Sequence, residues 1–331
     1  ALLLSGPKGV GKATFAFRVA RFLLSNGGIE QNSQNGLDFG QESTNETLAV
    51  PREDIVSRQV VNNAHPNLLV IQRSENSQTK KIRSEIVIDD LKGLKSFLNL
   101  KASDDRWRVV IIDTIDDMNR NTANAILKIL EEPPRKVIFM LINNSGGRLL
   151  PTIKSRCQSL KFSALSKDDL VFALQSCGAN LEDSNIDLVY QLSCGSIRTA
   201  NEILSSDFLN NLNDIKGLIS GVRPVSVPDS ETIFEKWQKS TKQDPTYVLE
   251  DKILIIKNWL SDGLIRYSRS KGGSPPAIKD EENLFERLIN THGIDRLLER
   301  LQEIERLVTQ SKGLNLEKKE IFLKFIRLLT R

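Results

Sequence analysis

The segment Gly6-Pro7-Lys8-Gly9-Val10-Gly11-Lys12 constrains the fold of this chain more than any other part of the sequence. It follows an apolar run over residues 1–4, typical of a buried strand, and precedes an amphipathic stretch over residues 12–24, typical of a helix. In such a loop, glycines let backbone N–H groups turn inward, the start of the helix favours anions, and the lysine reaches the outer phosphates of a nucleotide. The sequence therefore predicts a phosphate-binding loop, against the alternative of a strand-to-helix turn without a ligand. The candidate nucleotide-binding residues of this loop are Gly6, Gly9, Gly11 and Lys12.

The residues that usually complete such a site depart from the pattern that hydrolysis needs. The position after the lysine normally supplies a hydroxyl to Mg²⁺, but here it is Ala13, and Thr14 lies about 100° further round the helix. Asp113, at the end of the apolar run over residues 109–112, is the candidate metal-holding carboxylate. The next residue is Thr114, which cannot replace the glutamate that orients the attacking water in hydrolysing members of this class. Efficient ATP hydrolysis is therefore not expected.

Two other carboxylates, Asp116 and Asp117, follow in the next turn. Because they belong to the turn and not to the end of the strand, their interpretation as capping or solvated groups is favoured over a catalytic one.

The alternation of short apolar runs and helical patterns in the first half predicts the fold class. This order argues for an α/β fold, with a parallel sheet covered by helices on both faces. A second unit is predicted to open at Ser166-Lys167-Asp168-Asp169, which is similar to a capping box, and the pattern from about residue 208 onward is helical. Further strands are predicted at 67–71, 108–112 and 136–142, and helices at 86–98, 119–131, 294–308 and 316–329.

The composition excludes several classes of protein. Forty-six Lys and Arg against 42 Asp and Glu leave a formal net charge of +4, too small to indicate nucleic-acid binding. Three scattered cysteines cannot form a disulfide framework and suit a reducing compartment, here the cytoplasm. With two histidines, a His/Cys metal site is not expected, and no apolar run is long enough to cross a membrane.

One segment and the beginning of the chain stand outside this pattern. Residues 25–63 include long polar stretches without periodicity, so they are predicted to form an inserted loop, with residues 26–48 expected to be mobile. The chain opens on Ala1 without a basic region or a cleavage site. We therefore expect a truncated N-terminus and no signal peptide.

Four motifs occur in an order that resembles one family. They are similar to its H-P-D stretch, its N-A-L-L-K-x-L-E-E-P-P helix, its Ser-Arg-Cys motif and its sensor-2 segment of G-S-x-R-x-A type. The family is that of the clamp-loader AAA+ ATPases of bacterial DNA polymerase III, and the resemblance covers roughly residues 1–205. In this sequence the motifs are His65-Pro66-Asn67-Leu68, NTANAILKILEEPP at 121–134, Ser155-Arg156-Cys157 and Gly195-Ser196-Ile197-Arg198-Thr199-Ala200.

The resemblance implies a three-part architecture. A RecA-like AAA+ domain with a parallel sheet would cover residues 1–163, a small helical lid residues 164–206, and an all-helical collar residues 207–331. The collar is the expected oligomerisation domain.

The resemblance also implies roles for individual residues. Arg156 would act in trans on the γ-phosphate of ATP held by a neighbouring subunit, and the alternative is that it makes local salt bridges. Arg198 would face this chain's own nucleotide, with a structural role as the alternative. Asn143 or Asn144 stands where a polar sensor-1 residue is expected, and Cys157 is expected to be buried and unreactive.

The departures at Ala13 and Thr114 resemble the delta-prime type of subunit, whose own nucleotide site has decayed. ATP or ADP could bind there without efficient hydrolysis. Many relatives carry four zinc-binding cysteines before the His-Pro segment, but residues 25–63 contain none, so no zinc is expected and His65 is not a ligand. The implied partners are the gamma/tau and delta types of clamp-loader subunit, and through them the sliding clamp and primed DNA; no membrane is implied.

Two alternatives stay open. The first is an active clamp-loader ATPase of the gamma/tau type, in which Thr14 or a water would replace the missing hydroxyl. The second is another AAA+ machine, such as a Holliday-junction helicase motor or a replication initiator. Those proteins resemble this chain in the phosphate loop but do not combine the E-E-P-P helix with Ser-Arg-Cys. As a subunit of the delta-prime type, by contrast, the chain would serve the DNA-directed DNA polymerase holoenzyme and would not itself be an efficient ATPase.

Overall fold

A computed structural model describes the parts of the chain that carry the sheet and most of the helices. The described residues fall into two compact units, residues 1–164 and residues 165–331. The predicted division of the second unit into a lid and a collar at residue 206 stays a prediction. The described residues are 1–25, 48–51, 53–75, 82–99, 106–144, 149–179, 181, 186–205, 208–220, 227–243, 249–270, 279–314 and 317–330.

The first unit contains a sheet of five parallel strands, which confirms the predicted α/β class. The strand order is β2-β3-β4-β1-β5, so β1 lies inside the sheet, and β2 and β5 are its edges. All neighbouring pairs are parallel. Because parallel neighbours need crossover connections, helices lie between the strands in sequence. The strands are β1 (Leu2–Ser5), β2 (Leu68–Gln72), β3 (Arg108–Asp113), β4 (Val137–Asn143) and β5 (Gln158–Lys161).

The sheet of the first unit is covered on both faces. The alternating side chains of β3 show this, because Val109 and Ile111 belong to one buried cluster and Val110 and Ile112 to another. All four are fully buried, and each contributes about 2 kcal/mol through burial. The first face packs on α1 and α2, and the second on α3 and α4. The helices of this unit are α1 (Lys12–Ser25), α2 (Ile55–Val61), α3 (Lys92–Asn99), α4 (Arg120–Glu131) and α5 (Pro151–Lys154).

Two local predictions for this unit were wrong. The helix predicted from residue 86 begins later, as a short 3-10 turn at Ile88–Leu91 that continues into α3. Ile86 is instead fully buried and forms a β-bridge with Met118, because its N–H donates to the carbonyl of Asp117 at 2.8 Å.

The second wrong prediction concerns the expected inserted loop. It contains α2, whose seven residues are too few to give a clear helical period, and the carboxylate of Asp54 caps its start by accepting from the N–H of Val56. The polar part of the insertion, residues 26–47, lies outside the described residues.

The second unit, as far as it is described, is helical. Its first helix begins at the predicted residue, because the hydroxyl of Ser166 accepts from the N–H of Asp169 at 3.2 Å and donates to the Asp169 carboxylate at 2.6 Å. One buried apolar cluster extends from Leu170 to Leu329. None of the described helices is long and apolar enough to span a membrane. The helices are α6 (Lys167–Ser176), α7 (Ile186–Ser193), α8 (Ile197–Ser205), α9 (Phe208–Ser220), α10 (Val227–Gln243), α11 (Leu249–Ser270), α12 (Lys279–His292), α13 (Ile294–Leu314) and α14 (Lys318–Thr330).

A polar cluster joins α9, α11 and α12 inside this helical unit. One carboxylate oxygen of Glu281 accepts from Lys216 Nζ at 2.8 Å and from the buried Trp259 Nε1 at 3.0 Å. The Lys216 ammonium also lies 5.1 Å from the centre of the Trp259 ring. Because only 8% of the Glu281 side chain is exposed, water cannot easily replace it as the acceptor.

The Glu281 cluster gives a test of the fold. We expect Glu281→Ala to lower the free energy of unfolding by about 2 kcal/mol, because the indole N–H and the ammonium then lose their buried acceptor. Glu286→Ala, at an exposed position on the same helix, should change it by less than about 0.5 kcal/mol. Urea unfolding followed by tryptophan fluorescence measures both. Equal midpoints for the two variants would contradict the role of the cluster.

Candidate functional site

The glycine-rich loop connects β1 to α1 at the carboxyl end of the sheet. The N–H of Gly6 donates to the carbonyl of Asn143 at 3.3 Å. A Cβ at position 6 would lie 2.2 Å from the carbonyl oxygen of Phe162, so only glycine fits there. Gly9 and Gly11 have φ values of +84° and +100°, which glycine adopts at little cost. The loop is therefore shaped by all three glycines that the sequence singles out.

Lys12 lies against its own loop. The residue is only 3% exposed, and its Nζ donates to the carbonyls of Gly6 at 2.8 Å and Pro7 at 2.5 Å. Burial lowers the pKa of Lys12, whereas the nearby carboxylates of Asp116 and Asp113 favour its charged form. The loop thus holds a buried cation beside the helix start, which is an arrangement suited to an anion.

Asp113 and Asn143 are the last residues of the neighbouring strands β3 and β4. They therefore lie at the carboxyl end of the sheet, as this loop does. Asp113 lies opposite Ile142, and Asn143 lies opposite Ser5 in the strand register. The sequence left Asn143 and Asn144 as alternatives, and of these Asn143 is the buried one, at 4% exposure. Its Oδ1 is buried and has no hydrogen-bond partner among the described residues. A buried acceptor without a partner is costly, so this position is suited to a donor from a ligand or a water.

The two carboxylates of the turn after β3, those of Asp116 and Asp117, make local contacts. The carboxylate of Asp116 accepts from the N–H of Asn144 at 3.2 and 3.3 Å. The carboxylate of Asp117 pairs with Arg73 Nε at 3.3 Å. One carboxylate thus accepts from a backbone N–H and the other lies in a partly exposed ion pair, in line with their interpretation as capping or solvated groups.

The positions that depart from the hydrolytic pattern offer no replacement for the missing groups. Ala13 packs against the apolar cluster on one face of the sheet, and Thr14 is exposed on α1. Thr114 is 8% exposed and has no carboxylate to offer. His65 belongs to a turn, since its Nδ1 accepts from the N–H of Asn67 at 3.1 Å. Among the described residues, no group of three or more His, Cys, Asp or Glu side chains could hold a metal ion.

Arg156 lies at the opposite end of the sheet from the loop. It precedes β5, whereas Gly6 follows β1, and these two strands are parallel neighbours. The four paired residues between them span about 13 Å. Arg198 is exposed on α8 of the second unit, and its predicted role stays a prediction. The structure therefore brings the loop glycines, Lys12 and Asp113 together and leaves Arg156 apart from them.

Every nitrogen of the Arg156 guanidinium has an acceptor in its own chain. Nε donates to Glu131 Oε1 at 2.7 Å, and Nη2 donates to the same oxygen. Nη1 donates to the carbonyl of Thr152 at 2.7 Å, with a longer contact of 3.4 Å to Ser155 Oγ. The local salt bridge weighed as an alternative is thus present. It joins two of the family's motifs, because Glu131 belongs to the E-E-P-P helix.

Cys157, beside Arg156, makes the expected apolar contacts but is less buried than expected. It is half-buried and packs against the apolar cluster that also contains residues of β4 and α4. Burial raises the pKa of the Cys157 thiol, so little reactive thiolate forms near neutral pH.

Comparison with known proteins finds relatives in the same family that the sequence motifs resemble. The family described as "DNA polymerase III, delta subunit" matches residues 1–166. The chain is 26% identical over 265 residues to "DNA polymerase III subunit gamma" of Buchnera aphidicola subsp. Schizaphis graminum, covering 79% of this chain and 64% of that protein. It is 34% identical over 157 residues to "DNA polymerase III subunit delta'" of Pseudomonas aeruginosa, covering 47% of this chain and 41% of that protein. The chain thus spans less than two thirds of the length of these relatives.

One solved structure covers almost the whole chain. It is a DNA polymerase III gamma subunit-related protein of Thermotoga maritima, with a TM-score of 0.47, 18% identity, and coverage of 99% of this chain and 93% of that one. This likeness is too low to carry an argument about the site.

The close packing at Gly6 gives a test of the loop. We expect Gly6→Ala to destabilise the first unit by about 2 kcal/mol, because the new Cβ must push the backbone of Phe162 away from β1. Gly93→Ala in α3 is the matched control, since its Cβ would meet nothing within 4 Å and alanine favours a helix. Thermal melting followed by circular dichroism compares the two variants. A Gly6→Ala chain as stable as the Gly93→Ala chain would refute the close approach.

Proposed function

The chain belongs to the family described as DNA polymerase III, delta subunit, and on that basis we propose that it acts as a stationary clamp-loader subunit of the delta-prime type. In this role it would assist subunits that hydrolyse ATP in placing a sliding clamp on primed DNA. Its own contribution would be an arginine, Arg156, offered to ATP on a neighbouring subunit. The observation that carries the proposal is the separation of Arg156 from this chain's own phosphate loop.

The position of Arg156 supports action in trans. A guanidinium that stabilises the γ-phosphate must contact it directly. Because Arg156 precedes β5 and the loop follows the parallel strand β1, the two lie at opposite ends of the sheet. A half-exposed arginine at the outer edge of the sheet is accessible to another molecule, and the sheet itself separates it from the loop of its own chain.

The composition of the loop supports binding without efficient hydrolysis. Lys12 and the turn of three glycines provide a cation and inward-facing N–H groups for phosphates. The Mg²⁺ hydroxyl is missing at Ala13, and Thr14 lies about 100° further round α1, so its hydroxyl faces away from the place of a side chain at position 13. The residue directly after Asp113 is Thr114, so that position has no carboxylate to orient a water. ATP or ADP would therefore bind as a structural ligand, and ATP would not be hydrolysed at a useful rate.

The proposed partners follow from the same reasoning. A subunit that supplies an arginine requires a neighbour that holds ATP, and these neighbours would be of the gamma/tau type, with a delta-type subunit completing the complex. The clamp and the DNA would be reached through the complex.

One observation favours a second candidate function, that of an active gamma/tau-type ATPase. The alignment with the gamma subunit of Buchnera aphidicola covers 79% of the chain, against 47% for the delta' subunit of Pseudomonas aeruginosa. In this case a water would have to supply the missing magnesium ligand. Turnover by the chain alone separates the two functions.

The first test concerns the nucleotide. We expect isothermal titration with ATP and Mg²⁺ to show binding, and a phosphate-release assay to show no turnover above background. Lys12→Ala should weaken binding at least tenfold, because a charge-assisted contact is lost. Lys8→Ala, which removes an exposed lysine of the same loop, should change affinity less than twofold. Steady-state turnover that Lys12→Ala abolishes would favour the gamma/tau-type ATPase.

The second test concerns the arginine. We expect Arg156→Ala to leave folding and assembly with partner subunits intact and to lower the DNA-dependent ATPase of the assembled loader. Loss of such an arginine costs about 10³–10⁵ in rate at the site it serves, although total turnover falls less because other sites remain. Lys154→Ala, which removes an exposed cation two residues away, is the control. Wild-type ATPase and clamp loading in the Arg156→Ala complex would remove the trans role.

A further inference from the structure

We propose that Glu131 is a positioning residue for Arg156, holding the guanidinium in the orientation in which it meets a phosphate of the neighbouring subunit. This inference rests on the proposed trans role of Arg156. Glu131 is the last residue of α4, and Arg156 follows α5, 25 positions later in the sequence. Nothing in the linear motifs connects the two residues, whereas the structure places them in direct contact.

The geometry of the pair leaves part of the guanidinium available. A guanidinium has five N–H groups, one on Nε and two on each terminal nitrogen. Glu131 Oε1 accepts from Nε and from Nη2, and the Thr152 carbonyl accepts from Nη1 at 2.7 Å. One N–H on Nη2 and one on Nη1 remain, the latter with only the 3.4 Å contact to Ser155 Oγ. They lie on parts of the guanidinium that Glu131 does not cover, so oxygens of a phosphate can accept from them.

The elements that carry the pair explain why Glu131 can orient the arginine. Arg156 lies in a short connection between the four-residue helix α5 and the edge strand β5. An arginine side chain on such a segment has many rotamers, and binding would have to restrict them. Glu131 belongs to the twelve-residue helix α4, whose other face is fixed by buried residues such as Ile126 and Leu130. The carboxylate therefore transfers the rigidity of α4 to the guanidinium before the partner arrives.

The exposure of the pair separates this role from a role in stability. The side chains of Arg156 and Glu131 are 29% and 46% exposed. Ion pairs with this much contact with water contribute little to folding. Replacing Glu131 should thus disturb the orientation of Arg156 far more than the fold. A carboxylate that merely competed with the phosphate for Arg156 would have the opposite effect on activity, because its removal would release the arginine.

The experiment is a double-mutant cycle on the fully assembled complex with its partner subunits, clamp and primed DNA. Glu131→Ala, Glu131→Gln and Arg156→Ala are compared singly, and both Glu131 changes are combined with Arg156→Ala. Glu132→Ala, at the adjacent exposed glutamate of the same motif, is the matched control. The steady-state kcat and KM for ATP are measured for each complex, together with the melting temperature of each isolated chain.

We expect Glu131→Ala to reproduce at least half of the fall in kcat that Arg156→Ala causes, with little change in KM, because the arginine acts in the transition state. Glu131→Gln keeps an acceptor oxygen and should recover at least half of the lost kcat. In the Arg156→Ala background neither Glu131 change should lower kcat further, and Glu132→Ala should match the unmodified complex. Recovery by glutamine and the absence of an added effect are results that a general structural role would not produce.

The failures of the two proposals are distinguishable. If Arg156→Ala itself leaves kcat unchanged, the trans role falls, and the role of Glu131 falls with it. If Arg156→Ala lowers kcat but Glu131→Ala leaves it unchanged or raises it, only the positioning role is overturned. A further loss in the Arg156→Ala background also overturns it. If Glu131→Ala does not fold, Glu131→Gln decides. A fall in kcat that is smaller than the fall in the Arg156→Ala complex, and that disappears in the Arg156→Ala background, supports the role. Any other result rejects it.

Discussion

The pairing of β1 inside the sheet, between β4 and β5, is the constraint on which the rest of the first unit depends. This strand carries the glycine-rich loop at its carboxyl end, so its partners fix where the loop lies. Gly6 donates to Asn143 at the end of β4, and Phe162, just after β5, donates to Ser5 at 2.7 Å. The loop is therefore anchored on both sides by backbone hydrogen bonds, and the absence of a Cβ at Gly6 lets those backbones approach. Without β1 in this place, the loop that holds Lys12 would have no fixed position in the sheet.

The parallel direction of the strands divides the first unit into two chemically different ends. Lys12, Asp113 and Asn143 lie around the loop at the carboxyl end, because parallel strands all finish at the same end of the sheet. The other end carries Arg156 and the glutamate that binds it. In the proposed function, the domain would bind an anion at one end and offer a cation to another molecule at the other. Loss of hydrolytic residues at the first end need not affect the second, since the two share only the sheet.

The helical unit is held together by different means. Its core is one extended apolar cluster to which the aromatic side chains of Trp237, Trp259 and Phe322 contribute. Within it, Glu281 joins three helices by accepting from an ammonium and an indole with a single oxygen. A buried polar contact of this kind requires a specific register of the helices, whereas apolar packing tolerates small shifts.

The sequence by itself determined the strands β1 to β4, the glycine-rich loop and the start of α6, because each depends on residues close together in the chain. The exposed edge strand β5 has no apolar pattern that would predict it. Continuous β-branched runs predict buried strands, and glycines before a lysine, between an apolar run and a helical pattern, predict the loop. Only the tertiary structure decided that Ile86 forms a β-bridge and does not begin a helix. It also decided that Asn143 is the buried asparagine and that Glu131 binds Arg156. These features depend on partners distant in the sequence, brought together by the packing of α4 and α5 and by the strand order. No local pattern of residues records such contacts, because their energy comes from neighbours that only the folded chain supplies.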